Sequence, residues 1–145
     1  MSEWNLENKT ALITGGSKGI GLAIVNEFLS LGAEVFFVAR TQNDVLKIIN
    51  TNKEKNLHGI IADVSTDEGR EKVYHIIKTR AKKLDFLVNN VGTNIRKKSV
   101  EYTADEYDKI MNTNLKAAFE LTKNLYPYLK KSKDGSVVNI ASVSG

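Results

Sequence analysis

Hydrophobic positions along this chain alternate between two rhythms. Residues 10–14 (Thr-Ala-Leu-Ile-Thr) form an apolar run of strand length. Residues 20–31 then place Ile20, Ala23, Ile24, Phe28 and Leu31 three or four apart, the spacing of one helix face. Gly32 stands where a helix commonly ends on glycine. Residues 34–39 are apolar almost throughout, as a strand covered on both faces is. Helical spacing returns over 41–50 through Val45, Leu46, Ile48 and Ile49, and residues 59–62 predict a third strand. Residues 66–83 carry Val73, Ile76, Ile77 and Ala81 as a helical stripe, and 84–88 predict a fourth strand. Residues 103–130 contain a long helix, opened by Thr103 with Glu106 three positions on, the pattern of a capping box. Residues 136–141 predict a fifth strand. Such alternation, with short connections, builds a parallel sheet, because right-handed crossovers return each strand beside its predecessors. The expected class is a doubly wound α/β domain with five strands and helices on both faces.

Composition narrows the function more than the fold. The 145 residues suit one domain spanning 1–145, and 41% apolar with 26% charged residues describes a soluble globular chain. There is no cysteine, which removes disulfides, thiolate catalysis and cysteine-ligated zinc, and permits a reducing compartment. The first ten residues are polar and hold no signal-peptide core. The longest unbroken apolar run, residues 35–39, is too short for a bilayer, so a cytoplasmic protein without a membrane segment is expected. Net charge is +4, yet the basic residues come as scattered pairs (Lys82-Lys83, Lys97-Lys98, Lys130-Lys131) mixed with acids. No aromatics interleave with them, so they predict a solvated surface and not a nucleic-acid platform. His58 and His75 have no spaced carboxylate partner, and no metal site is expected.

The first strand runs straight into Thr14-Gly-Gly-Ser-Lys-Gly-Ile-Gly21, with glycines at 15, 19 and 21 opening the next helix. Missing side chains let the backbone turn tightly and let a pyrophosphate approach the helix N-terminus, where unpaired N–H groups favour anions. The spacing is G-x-x-x-G-x-G, and its place between strand and amphipathic helix predicts a dinucleotide-binding (Rossmann) loop made by Gly15, Ser17, Lys18, Gly19, Ile20 and Gly21. Arg40 follows the second strand where an acid would grip the ribose hydroxyls of NAD(H), and no carboxylate stands there. With Lys18 as a second cation, this favours NADP(H) over NAD(H).

Further residues appear in order: Asp63-Val64 after the third strand, Asn89-Asn-Val-Gly92 after the fourth, Asn114 in the long helix, and Asn139-Ile-Ala-Ser142 at the fifth. Together with the glycine loop, this series resembles the short-chain dehydrogenase/reductases over the whole chain. Residues 3–7 (Glu-Trp-Asn-Leu-Glu) and 89–96 (Asn-Asn-Val-Gly-Thr-Asn-Ile-Arg) are similar to the tropinone-reductase-like branch. The resemblance implies that Asp63 and Val64 contact the adenine, that Asn90 and Gly92 line the cofactor trough, and that Asn89 ties strands together. It implies that Asn114 holds a water of a proton relay by interrupting its helix, and that Ser142 stabilises a developing oxyanion on a carbonyl substrate.

The family's acid is a tyrosine assisted by a lysine one turn later, on a helix beyond this serine. The chain ends at residues 142–145 before such a helix, so the expectation is a cofactor-binding portion inactive by itself, with a homo-oligomer forming when complete. The alternative is a non-enzymatic nucleotide-binding or regulatory fragment. Tyr74 with Lys78 and Tyr126 with Lys130 mimic the pair's spacing, but both precede the serine strand on helices away from the strand ends, and they predict packing roles.

Overall fold

Each apolar run becomes a strand of one parallel sheet. The computed structural model describes residues 4–53 and 55–143; Glu3 of the amino-terminal stretch and Ser144-Gly145 at the other end lie outside the described residues. The strands are β1 (Thr10–Thr14), β2 (Glu34–Ala39), β3 (Leu57–Ile61), β4 (Phe86–Asn89) and β5 (Ser136–Asn139). Between them lie α1 (Gly19–Ser30), α2 (Gln42–Thr51), α3 (Asp67–Arg80), α4 (Ala104–Met111) and α5 (Ala117–Lys130). The strand order β3-β2-β1-β4-β5 reverses direction between β1 and β4. Leu12 pairs with Phe36 on one side and Leu87 on the other, and Asn89 pairs with Asn139.

Strand alternation sorts the core into two layers. Leu12, Phe36 and Leu87 face α3 and α5, meeting Val73, Ile77, Leu121 and Leu125. Their neighbours Ile13, Phe37 and Val88 face α1 and α2, meeting Val25, Leu29, Val45 and Ile48. This fills both faces of the sheet, as the strand pattern requires. The Gly32 N–H bonds the Leu29 carbonyl at 3.2 Å, closing α1 as expected. Thr103 and Glu106 form the capping box that opens α4.

Several boundaries differ from the sequence reading; β5 ends at Asn139 and not at residue 141, and α3 ends at Arg80 and not at 83. β3 begins at Leu57, two residues before the expected start, because Leu57 already pairs with Val35. β4 begins at Phe86 because Asp85 serves as a junction: its N–H bonds Thr10 O at 2.8 Å, and its side chain accepts from Thr10 N at 2.8 Å. The helix over 103–130 is divided by a π turn, Asn112–Lys116, centred on Asn114. Pro127 does not break α5, which continues to Lys130.

Candidate functional site

In a doubly wound sheet the point of reversal leaves a crevice outside the carboxyl ends of the strands. Here the chain after β1 turns through Gly15 and Gly19, whose φ values are +66° and +55°. The Gly16 N–H bonds Val38 O at 3.1 Å, tying the loop to β2. Asn90, beyond β4, donates its amide to Thr14 O at 3.1 Å and Gly15 O at 3.3 Å, tying the loop to the other side. Gly21 is held tightly, since a Cβ there would lie 2.1 Å from Gly15 O and 2.6 Å from the Asn90 amide nitrogen. The first turn of α1 carries no acid and receives no side-chain cap, which keeps its N-terminus electropositive.

A cavity of about 260 Å³ opens beside this loop. Of the residues singled out by sequence, Gly15, Ser17, Lys18, Arg40, Asp63, Val64, Asn90 and Gly92 line it. Gly19, Ile20 and Gly21 are not in the lining; Gly21 is buried behind the loop, and the Ile20 side chain is 62% exposed. Lys18 and Arg40 form no ion pair among the described residues. Among the described residues Asp63 is the one carboxylate in the lining, and its Oδ1 accepts from Ser65 N at 3.0 Å and Ser65 Oγ at 2.7 Å. The next helix is capped not by Asp63 but by Thr66, which accepts from Gly69 N. The cavity therefore presents unpaired positive charge, donor-rich backbone and apolar floor, a combination that fits a dinucleotide carrying an extra phosphate.

Lys109 and Thr113 also line the cavity and were not foreseen. They arrive because α4 and the π turn fold over the crevice. The only sequence signal was their spacing of four, which every helix offers.

Asn114 does not line that cavity. Its Oδ1 accepts from Thr93 N at 2.8 Å, and its Nδ2 donates to Thr93 O at 2.8 Å, fastening the π turn to the segment after β4. It borders a smaller cavity of about 40 Å³ with Thr14, Asn89, Thr113 and Asn139. Asn89 donates to Asn139 Oδ1 at 2.9 Å and Thr122 Oγ1 at 3.3 Å, tying β4 to β5 and α5. Its own Oδ1 is buried without a partner among the described residues. Ser142 is exposed just beyond β5, at the same end of the sheet, and lines neither cavity.

Tyr74 packs against Tyr128, with the Lys78 ammonium 5.9 Å from its ring, and Tyr126 is exposed on α5. None of these four residues borders a cavity described above. His58 bonds Glu34 at 3.1 Å and stacks on Phe36, a satisfied histidine. No helix among the described residues is long and apolar enough to cross a membrane.

The family model for short chain dehydrogenases matches residues 9–145. The chain belongs to that family. A tropinone reductase homologue of Arabidopsis thaliana is 45% identical over 98% of the chain and 55% of its own length, in keeping with the expected branch. The chain thus spans about half the length of the curated relatives it matches. Among solved structures of this dehydrogenase fold, L-sorbose reductase from Gluconobacter frateurii, complexed with NADPH and L-sorbose, superposes with a TM-score of 0.92. It is 29% identical, and the match covers 97% of this chain and 55% of that one. The NADP complex of RhlG from Pseudomonas aeruginosa gives 0.83 at 31% identity, over 96% and 56% of the two chains.

Proposed function

We propose that these residues form the cofactor-binding portion of an NADP(H)-dependent oxidoreductase acting between a ketone and a secondary alcohol. The observation that carries the reading is the pair Lys18 and Arg40, unpaired in one cavity with no carboxylate at the end of β2. The glycine loop and the α1 N-terminus hold the pyrophosphate, Arg40 and Lys18 hold the 2′-phosphate, and Asp63 and Val64 hold the adenine. Bound there, the nicotinamide supplies or takes up hydride. Asn90 contributes indirectly, because its amide is spent on Thr14 O and Gly15 O and so fixes the loop's shape.

Ser142 donates to the carbonyl oxygen of a small-molecule substrate at the far end of the crevice. Asn114 serves the proton relay through the π turn: both ends of its side chain are occupied by Thr93, so a water is held by the loosened main chain. Among the described residues no tyrosine lines either cavity. A cytoplasmic setting accords with the absence of cysteine.

Titration with NADPH and NADH tests the reading. NADPH is expected to bind at least about tenfold more tightly, the scale of one charge-assisted phosphate contact. Arg40→Asp is expected to reverse the order. Equal affinity for both forms, unchanged by Arg40→Asp, would remove the NADP(H) assignment.

A further inference from the structure

Among the described residues two charged side chains are buried: Asp85 at the foot of the sheet, and Arg70 beside the crevice. Arg70 lies one turn into α3 and is only 3% exposed. One arm of its guanidinium donates to the Val64 carbonyl at 2.8 Å, and the other pairs with the Asp67 carboxylate. Lys116 of the π turn reaches the same carboxylate at 3.4 Å. A line of charge therefore joins the Asp63-Val64 loop to the π turn, and the cavity runs between those two walls.

The loop is held from other directions as well. Asp63 O accepts from Thr66 Oγ1 at 2.9 Å and Thr66 N at 3.1 Å. α3 approaches so closely that a Cβ on Gly69 would lie 1.8 Å from Asp63 O. Thr66 thus restrains the carbonyl of Asp63, and among the described residues Arg70 restrains that of Val64. A planar guanidinium can engage a carbonyl and a carboxylate at once, which an ammonium of similar reach cannot do with fixed geometry.

We propose that Arg70 is a positioning residue for the adenosine half of the ligand. It touches no ligand atom; by fixing the Val64 carbonyl it keeps the Asp63-Val64 loop in the shape that receives the base. This rests on the nucleotide reading above and extends it to a side chain outside the cavity lining. Preorganisation of this kind raises affinity by removing the cost of ordering the loop on binding.

Titration with 5′-ADP, 2′,5′-ADP and inorganic pyrophosphate tests it. Arg70→Met fills similar space but leaves the Val64 carbonyl without its donor. It is expected to weaken both adenosine ligands by the same factor, about tenfold, and to leave pyrophosphate unchanged. Arg70→Lys should recover part of the loss. The ratio of 2′,5′-ADP to 5′-ADP affinity should stay constant in both variants, whereas Arg40→Asp changes that ratio. Unchanged 5′-ADP affinity in folded Arg70→Met overturns the proposal, as does an equal loss for all three ligands, which would mark a general loosening. Should Arg70→Met fail to fold, Asp67→Asn on the exposed carboxylate decides: a loss of about threefold on both adenosine ligands supports the role, and no change overturns it. If the unaltered protein binds none of the three ligands, the nucleotide reading itself falls and takes this proposal with it.

Discussion

At the residue scale, the glycine loop separates positions that matter through their backbone from those that matter through a side chain. Gly21 is 2.1 Å from a backbone oxygen at the place where a Cβ would stand, and backbone cannot swing aside as a side-chain tip can. Gly21→Ala is therefore expected to cost about 2 to 3 kcal/mol, the scale of overpacking, and to weaken nucleotide binding because Gly15 must move. Ile20→Ala, at a side chain 62% exposed, is expected to stay within about 0.5 kcal/mol. Urea denaturation of both variants, with an NADPH titration, checks the pair; similar losses in the two would show that the close approach is not what constrains the loop. The sequence made the loop legible because glycine identity reports backbone geometry directly. It did not reveal Arg70, since an arginine in a polar helix turn reads as surface until the fold buries it.

At the element scale, boundaries were least legible where a polar side chain replaces the ladder. Residues 84–88 read as a strand from Leu84, but Asp85 ends the apolar logic and binds Thr10 N, Ser132 Oγ at 2.6 Å and Lys83 Nζ at 2.9 Å. Ser132 and Thr10 are 47 and 75 positions away, so no local pattern could announce the junction. Burial pushes the Asp85 carboxyl up, yet the hydrogen bonds from Ser132, Lys83 and Thr10 together hold it below the ordinary carboxylate range. A carboxyl lowered in the folded state adds stability that is present above its unfolded value and lost as pH falls through its folded one. Stability is expected to hold from neutral pH to about 5 and to decline below about 4. Asp85→Asn should cost about 2 kcal/mol at pH 7 and flatten that acid decline, as measured by urea midpoints across pH. An unaltered acid decline in Asp85→Asn would assign the acid sensitivity elsewhere. The break in the long helix was legible by contrast, because Asn114 carried the resemblance that implied it. Its partner Thr93 was not, being fixed only once the segment after β4 folds back.

At the scale of the whole molecule, the described surface departs from a solvated one along α5. Phe119 and Tyr126 of α5 are 61% and 58% exposed and share one face with Leu115 of the preceding π turn at 59%, with Tyr107 of α4 nearby in sequence at 57%. The opposite face of α5 supplies Leu121, Leu125 and Leu129 to the core, so the helix is apolar on two sides. An apolar outer face of that kind offers a contact surface to a partner. β5 offers a competing surface, since Val137, Val138 and Ile140 are 39%, 44% and 38% exposed at the edge of the sheet. Area on the helix is larger per residue because both of its exposed apolar side chains are aromatic, and large rings dominate contact energetics. Self-association through α5 is therefore the expected state, in line with the homo-oligomer implied by the resemblance. Light scattering should give a mass that rises above 16.1 kDa with concentration. Phe119→Lys should return it to the monomer value, while Val138→Thr, on β5, leaves it unchanged. The reverse outcome, with Val138→Thr dissolving the assembly and Phe119→Lys leaving it intact, would place the contact on the sheet edge, where unpaired strands invite their own partners.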